Sequence, residues 1–132
     1  MPITIDISGG IDGLYTIEDD GVLGNGTSVV RDPNGNVFTT FAHPADQLTL
    51  LSRAGQSLNI NITDSLTTAN VTVGSLTNAA VNPDNVSVDN LLTSGTVSLA
   101  ARNAVSELGS DSGADVVAGS LLIKAGIGVG LG

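Results

Sequence analysis

Three short lines of sequence decide the fold: "NVTVGSL" (Asn70–Leu76), "NVSVDNL" (Asn85–Leu91) and "GTVSLAA" (Gly95–Ala101). Each alternates Val or Leu with small polar residues. Period-two alternation sends successive side chains to opposite faces of an extended chain, so each line reads as a strand with one buried face. "ITIDI" (Ile3–Ile7) and "LNINIT" (Leu58–Thr63) repeat the pattern. Clusters of Gly, Asn, Asp and Ser separate the bursts, and these residues form turns. "LAARNAVSEL" (Leu99–Leu108) comes nearest to a helical pattern. It reads as strand continuation, with a short helical turn as the alternative.

The bursts recur at a fixed interval. Ile60 to Val86, Val71 to Val97 and Val97 to Ile123 are each 26 residues apart, and intermediate steps alternate between 11 and 15. A period of 20–50 residues points to a solenoid, in which no single turn buries its own apolar face and the turns stack. Like residues then lie above like, in parallel strands about 4.8 Å apart. The expected fold class is all-β, a parallel β-helix. A β-sandwich, which also uses short alternating strands, is the alternative.

Composition agrees with a narrow interior. Of 132 residues 41% are apolar and only 2% aromatic, with no Trp, so Val, Leu, Ile and Ala must fill the core. The formal charge is −9, and the four basic residues, Arg31, Arg53, Arg102 and Lys124, are scattered. Without a basic patch the chain is not expected to bind nucleic acid, and anionic membrane surfaces should repel it. No apolar run reaches the roughly 18 residues of a spanning helix, so no membrane insertion is expected. There is no cysteine for a disulfide or a thiolate metal site.

The first part of the chain reads differently. "GLYTIEDDGVLG" (Gly13–Gly24) and "VVRDPNGNVFTTF" (Val29–Phe41) look like antiparallel hairpins. "DPNG" (Asp32–Gly35) puts Pro and Gly where a tight turn needs them. The chain is therefore divided into an N-terminal hairpin or cap region, 1–47, and repeating strands over 48–132. The hairpins would cover strand edges that a stack otherwise leaves open.

Two segments carry a family likeness. "FTTFAHPADQLTLLSRAGQSLNINITDSL" (Phe38–Leu66) resembles stretches of very large bacterial surface proteins. "SLAARNAVSELGSDSGADVVAGSLLIKAGIGVG" (Ser98–Gly130) resembles the repeats of filamentous-haemagglutinin-type exoproteins. The resemblance implies a right-handed parallel β-helix, cut from a longer exported protein, with a structural and adhesive role at the cell surface or outside the cell. "MPITIDISGG" lacks the basic and apolar regions of a signal peptide, so the expectation is either a cytoplasmic protein or a piece of a longer one, the latter favoured. "LSRAGQSLN" (Leu51–Asn59) lacks the glycine–aspartate pattern of calcium-binding nonapeptides, so no calcium roll is implied.

Candidate chemistry is thin. "EDDG" (Glu18–Gly21) offers adjacent carboxylates, but neighbours in a strand point to opposite faces and a glycosidase pair needs a set gap. It reads as a charged turn. Asp111 and Asp115 in "GSDSGAD" (Gly109–Asp115) supply too few oxygens for a dedicated calcium cage, and whether an ion binds there stays open. His43, with Asp46, Ser52 and Ser57 downstream, lacks a nucleophile elbow; preceding Pro44, it reads as an extended loop or strand-end residue. "GIGVGLG" (Gly126–Gly132) lacks the Lys and Ser/Thr of a phosphate loop and reads as another strand with glycine corners. The sequons at Asn25, Asn61, Asn70 and Asn85 suit chance in an Asn/Thr-rich chain.

No catalytic, cofactor-binding or metal residue is therefore assigned, and no cofactor is expected. Asn61, Thr72, Ser87 and Ser98 should face outward as a hydrated wall. The expected function is non-catalytic: a structural or adhesive segment of a bacterial β-helical exoprotein. The alternatives are a carbohydrate-binding or polysaccharide-active β-helix and a viral or phage fibre or decoration module. An ice-binding wall would need Thr-x-Thr rows that the sequence lacks. End-to-end self-association through open edges is the expected partnership, beside an unidentified extracellular glycan or protein ligand.

Overall fold

The computed structural model describes residues 2–107, 116–126 and 128–130. Among the described residues the regular structure comprises thirteen strands: β1 (Ile3–Asp6), β2 (Gly13–Asp19), β3 (Thr27–Arg31), β4 (Val37–Ala42), β5 (Gln47–Leu51), β6 (Gln56–Asn61), β7 (Asn70–Val73), β8 (Asn85–Leu92), β9 (Thr96–Ala101), β10 (Ala104–Glu107), β11 (Val116–Val117), β12 (Ser120–Ala125) and β13 (Gly128–Gly130). A single 3₁₀ turn, Ala79–Val81, sits between β7 and β8. Among the described residues no helix is long and apolar enough to cross a membrane.

The protein is all-β and built on two sheets. The first has the order β1-β5-β7-β9-β12, and every pair in it is parallel. The second has the order β13-β10-β8-β6-β2-β3-β4 and is mixed. It is parallel from β13 to β2 and antiparallel across β2–β3 and β3–β4. β11 adds a short parallel pair on Leu91–Leu92. Apart from the β3–β4 hairpin and β11, the chain visits the two sheets in turn: β1 in the first, β2 in the second, β5, β6, and so on to β13.

The alternation read from the sequence fills the space between the sheets. In the first sheet Ile3, Leu48, Val71, Val97 and Leu121 form one inward row, and Ile5, Leu50, Val73, Leu99 and Ile123 the next. In the second sheet Tyr15, Leu58, Val86 and Val105 align, beside Ile17, Ile60 and Val88. Ile60, Val86, Val88, Val97 and Leu99 are fully buried in one cluster. Each such side chain removed from water contributes about 1.5–3 kcal/mol. Val30 and Phe41 of the hairpin complete the cluster at the β1–β2 end.

The register departs from a uniform 26-residue repeat. Val71 does pair with Val97, at that spacing. Leu58 pairs with Val86 and Ile60 with Val88, spacings of 28, and Leu99 pairs with Ile123, a spacing of 24. The sequence-based partners, Ile60 with Val86 and Val97 with Ile123, are each displaced by two residues. Two is the side-chain period of a strand, so the inward face is kept while the partner changes. The connections differ in length, as the loop carrying the 3₁₀ turn shows. "LAARNAVSEL" contributes two strands, β9 and β10, which lie in different sheets.

Polar side chains hold the corners. Gln56, fully buried, donates through Nε2 to the Ile7 carbonyl at 2.7 Å and accepts from Ser52 Oγ at 2.9 Å. Arg53 donates to the Ser8 carbonyl at 2.8 Å and the Gly10 carbonyl at 2.7 Å, and pairs with Asp12. Arg102, in the equivalent corner after β9, donates to the Asn82 carbonyl at 3.1 Å and the Ala79 carbonyl at 2.8 Å. Guanidinium forks suit this use because one side chain reaches two carbonyls at once. Glycine is required where corners touch: a Cβ on Gly126 would lie 2.0 Å from the Arg102 carbonyl oxygen.

Candidate functional site

The polar groups that could carry chemistry gather where the hairpin meets the rest of the chain. The DPNG turn pairs β3 with β4 and sets Ser28 opposite Phe41. His43, just past β4, thereby comes back to Ser28, and Ser28 Oγ lies 2.7 Å from His43 Nε2. The other ring nitrogen is 3.4 Å from the Ser65 carbonyl. The ring centroid is 6.0 Å from that of Phe41. A hydroxyl beside an imidazole is the first half of a nucleophile–base pair. Here the hydroxyl is completely buried, and a backbone carbonyl stands where an orienting carboxylate would. The contact therefore works as a tie between β3 and the segment after β6.

Asp64 makes a second tie on the same side. Its carboxylate accepts from the Gly24 amide at 2.9 Å and the Gly26 amide at 3.2 Å, gripping the β2–β3 connection. The Gly24 bond is the main cause that holds its carboxyl below the ordinary carboxylate value, and the His43 side chain pulls the same way. Backbone amides favour the ionised form because they donate only to it at full strength.

The sequence candidates are dispersed. Glu18 pairs with Arg31 at 2.8 Å across β2 and β3. Asp19 Oδ2 accepts from the Gly21 amide and Asp20 Oδ1 from the Val22 amide, each at 2.9 Å, so "EDDG" caps its own turn. Asp19 Oδ1 is shut off from solvent with no hydrogen-bond donor. Asp46 accepts from the Gln47 amide at 3.0 Å, Ser52 is buried against Gln56, and Ser57 lies 3.5 Å from Asn85 Nδ2. The structure thus brings His43 to Ser28 and Ser65, not into a hydrogen bond with Ser52 or Ser57. Asp111 and Asp115 lie outside the described residues. In "GIGVGLG", Gly128–Gly130 forms β13, parallel to β10. Among the described residues no group of three or more His, Asp or Glu is placed to hold a metal ion.

Ser28, the partner that sequence reasoning missed, carried one signal: the turn at Asp32–Gly35 fixes which residues of the flanking strands face each other. An open groove of ≈ 400 Å³ runs along Ser65, Thr67, Leu92, Thr93, Ser94 and Val117–Gly119. Two of its hydroxyls bond the backbone. Thr93 Oγ1 donates to the Ala69 carbonyl and Ser94 Oγ to the Thr67 carbonyl. Among the described residues no charged side chain lines it.

The outer face of the first sheet is more regular than any pocket. Thr4, Thr49, Thr72 and Ser98 stand in one row on neighbouring strands. Gln47 Nε2 joins the row by donating to Thr49 Oγ1 at 3.2 Å and Thr72 Oγ1 at 3.1 Å. On the second sheet Ser87 and Ser106 are 3.2 Å apart, and Asn90 donates to Asn61 at 2.8 Å. Asn61, Thr72, Ser87 and Ser98 are each partly exposed. No protein-family model, no curated protein and no solved structure matches the chain.

Proposed function

We propose that the two sheets are opposite walls of a right-handed parallel β-helix and that the chain is a structural and adhesive segment of a bacterial surface exoprotein, with no chemistry of its own. One observation carries the reading: five strands from successive passages of the chain form an uninterrupted parallel sheet, inward aliphatic, with an outward hydroxyl row over the first four, Thr4, Thr49, Thr72 and Ser98, and Leu122 at that position on the fifth. Sandwich sheets are antiparallel, so this pairing favours the β-helix. Parallel crossovers are right-handed in about 98% of cases, which supplies the hand. In such a stack each layer leans only on its neighbours, which gives a stiff rod. The outward rows of hydroxyls and amides offer a hydrated contact surface with little charge.

The test is adhesion of the folded chain. Beads coated with it should hold to host-cell surfaces, and beads coated with a Thr49→Lys/Thr72→Lys variant should hold several-fold less. Beads that hold no better than uncoated ones would overturn the adhesive role. Sugar released from a polysaccharide panel would overturn the non-catalytic one.

A further inference from the structure

The sequence contains two Asn–Gly pairs, Asn25–Gly26 and Asn34–Gly35, on successive connections of the hairpin region. We infer that Asn34 is a site of spontaneous covalent modification, deamidation to aspartate and isoaspartate, and that Asp64 locks Asn25 against the same reaction. The inference goes beyond the structural and adhesive reading and does not depend on it.

The reaction meets least obstruction before glycine, which has no Cβ beside the attacking nitrogen. At Asn34 the Gly35 amide nitrogen bonds to the side-chain carbonyl carbon, Cγ. The Cγ–Nδ2 bond breaks, and Nδ2 leaves as ammonia with the proton shed by the Gly35 amide. One water then opens the five-membered imide at either carbonyl. One opening gives aspartate. The other gives isoaspartate, whose main chain runs through the former side chain. Water is the sole co-reactant, and nothing is oxidised or reduced.

Both asparagines are exposed, so access does not separate them; hydrogen bonding does. Among the described residues Asn34 bonds through its backbone amide, to Asp32 Oδ1 at 2.9 Å, and its side chain is unheld. The attacking nitrogen of Gly35 has one bond to give up, to the Asp32 carbonyl at 2.9 Å. Three bonds must open at Asn25. Its Oδ1 accepts from the Thr27 amide at 3.1 Å, and its Nδ2 donates to Asp20 Oδ2 at 2.7 Å. The Gly26 amide, which would attack, donates to Asp64 Oδ2 at 3.2 Å. The two bonds to carboxylates are of the stronger, charge-assisted kind. The His43 amide also holds the Gly26 carbonyl at 2.7 Å, which fixes the glycine from its other side.

Asn34 lies inside the ring closed by the Asp32 amide and the Asn36 carbonyl at 2.8 Å. Isoaspartate lengthens the main chain within that ring by one carbon and sets a new carboxylate near Asp32. The turn that places Ser28 opposite Phe41 is thereby loosened at its tip, while Asp64 keeps the neighbouring connection intact.

Arg31 separates the two sites, so trypsin delivers them in different peptides. The folded chain is held at mildly alkaline pH, and deamidation is followed by peptide mass spectrometry, with enzymatic methylation of isoaspartate as a second readout. Asn34 should convert at least about tenfold faster than Asn25, because of the additional bonds that must open at Asn25. In concentrated urea the two rates should converge, which needs no variant to fold. Asp64→Ala should raise the Asn25 rate several-fold and leave that of Asn34 unchanged. Equal rates in the folded chain, a faster reaction at Asn25, or a difference that persists in urea would overturn the inference. An Asn25 rate unmoved by Asp64→Ala would overturn the lock.

Discussion

Val86 and Ser87 are adjacent, yet they should respond oppositely to the same substitution. Val86 is fully buried between Leu58 and Val105 of the flanking strands. Val86→Asp forfeits about 1.5–3 kcal/mol of apolar burial. It also places an unpaired carboxylate among aliphatic side chains, which costs several kcal/mol after relaxation. The total, about 5 kcal/mol or more, rivals the whole stability of a typical domain, about 5–15 kcal/mol. Ser87 is half-buried on the outer face, with its hydroxyl 3.2 Å from that of Ser106. Ser87→Asp exchanges one weak hydrogen bond for a solvated charge, a loss of about 0.5–1.5 kcal/mol. With no Trp to report unfolding, urea titration followed by far-ultraviolet circular dichroism is the suitable assay. Val86→Asp should show no cooperative transition or a much lower midpoint, and Ser87→Asp a midpoint near that of the parent. Equal midpoints would refute the assignment of inner and outer faces.

Three further outcomes are expected. Gly95→Ala would place a Cβ 2.4 Å from the Ala69 carbonyl oxygen; the forced shift should cost about 1–3 kcal/mol, read as a lower urea midpoint. Gln56→Ala takes from the Ile7 carbonyl one of its two donors, leaving the Gly10 amide, and deprives the Ser52 hydroxyl of its acceptor in a buried corner. It should cost about 1–3 kcal/mol, and a thermal midpoint equal to the parent's would count against the corner role. Asp64 is ionised and bonded to the Gly24 and Gly26 amides, with its folded pKa depressed. Its contribution is present above the unfolded carboxylate pKa and is lost as pH falls through the lower folded value. The stability gap between the parent and Asp64→Asn, measured by urea titration at a series of pH values, should therefore shrink on acidification. A gap that widens at low pH would contradict the clamp.

What could be read in the chain was local. Alternation in "NVTVGSL" and "NVSVDNL" assigned inward and outward residues, because a strand's period of two survives any even error in register. The DPNG turn announced the β3–β4 hairpin, because Pro and Gly restrict the backbone wherever they occur. Register was not legible: Leu58 pairs with Val86 because of how long the intervening loop is, and length alone does not reveal how much chain a corner consumes. The outward row shows the same difficulty. Thr4, Thr49, Thr72 and Ser98 are separated by 45, 23 and 26 residues, so no single repeat aligns them. The tie between Ser28 and His43 follows from pairing across the hairpin, which a scan for local motifs does not include. Arg53 and Arg102 looked like scattered cations; both secure carbonyls at corners after strands of the first sheet.

A map of amide and α-proton contacts by nuclear magnetic resonance tests the central claim most directly, because parallel neighbours about 4.8 Å apart give cross-strand contacts between residues remote in sequence. The account predicts contacts linking the strands around Thr4 to Thr49, Thr49 to Thr72 and Thr72 to Ser98 in one unbroken series. Contacts that instead join these strands in antiparallel order, or that break the series between Thr49 and Thr72, would contradict it.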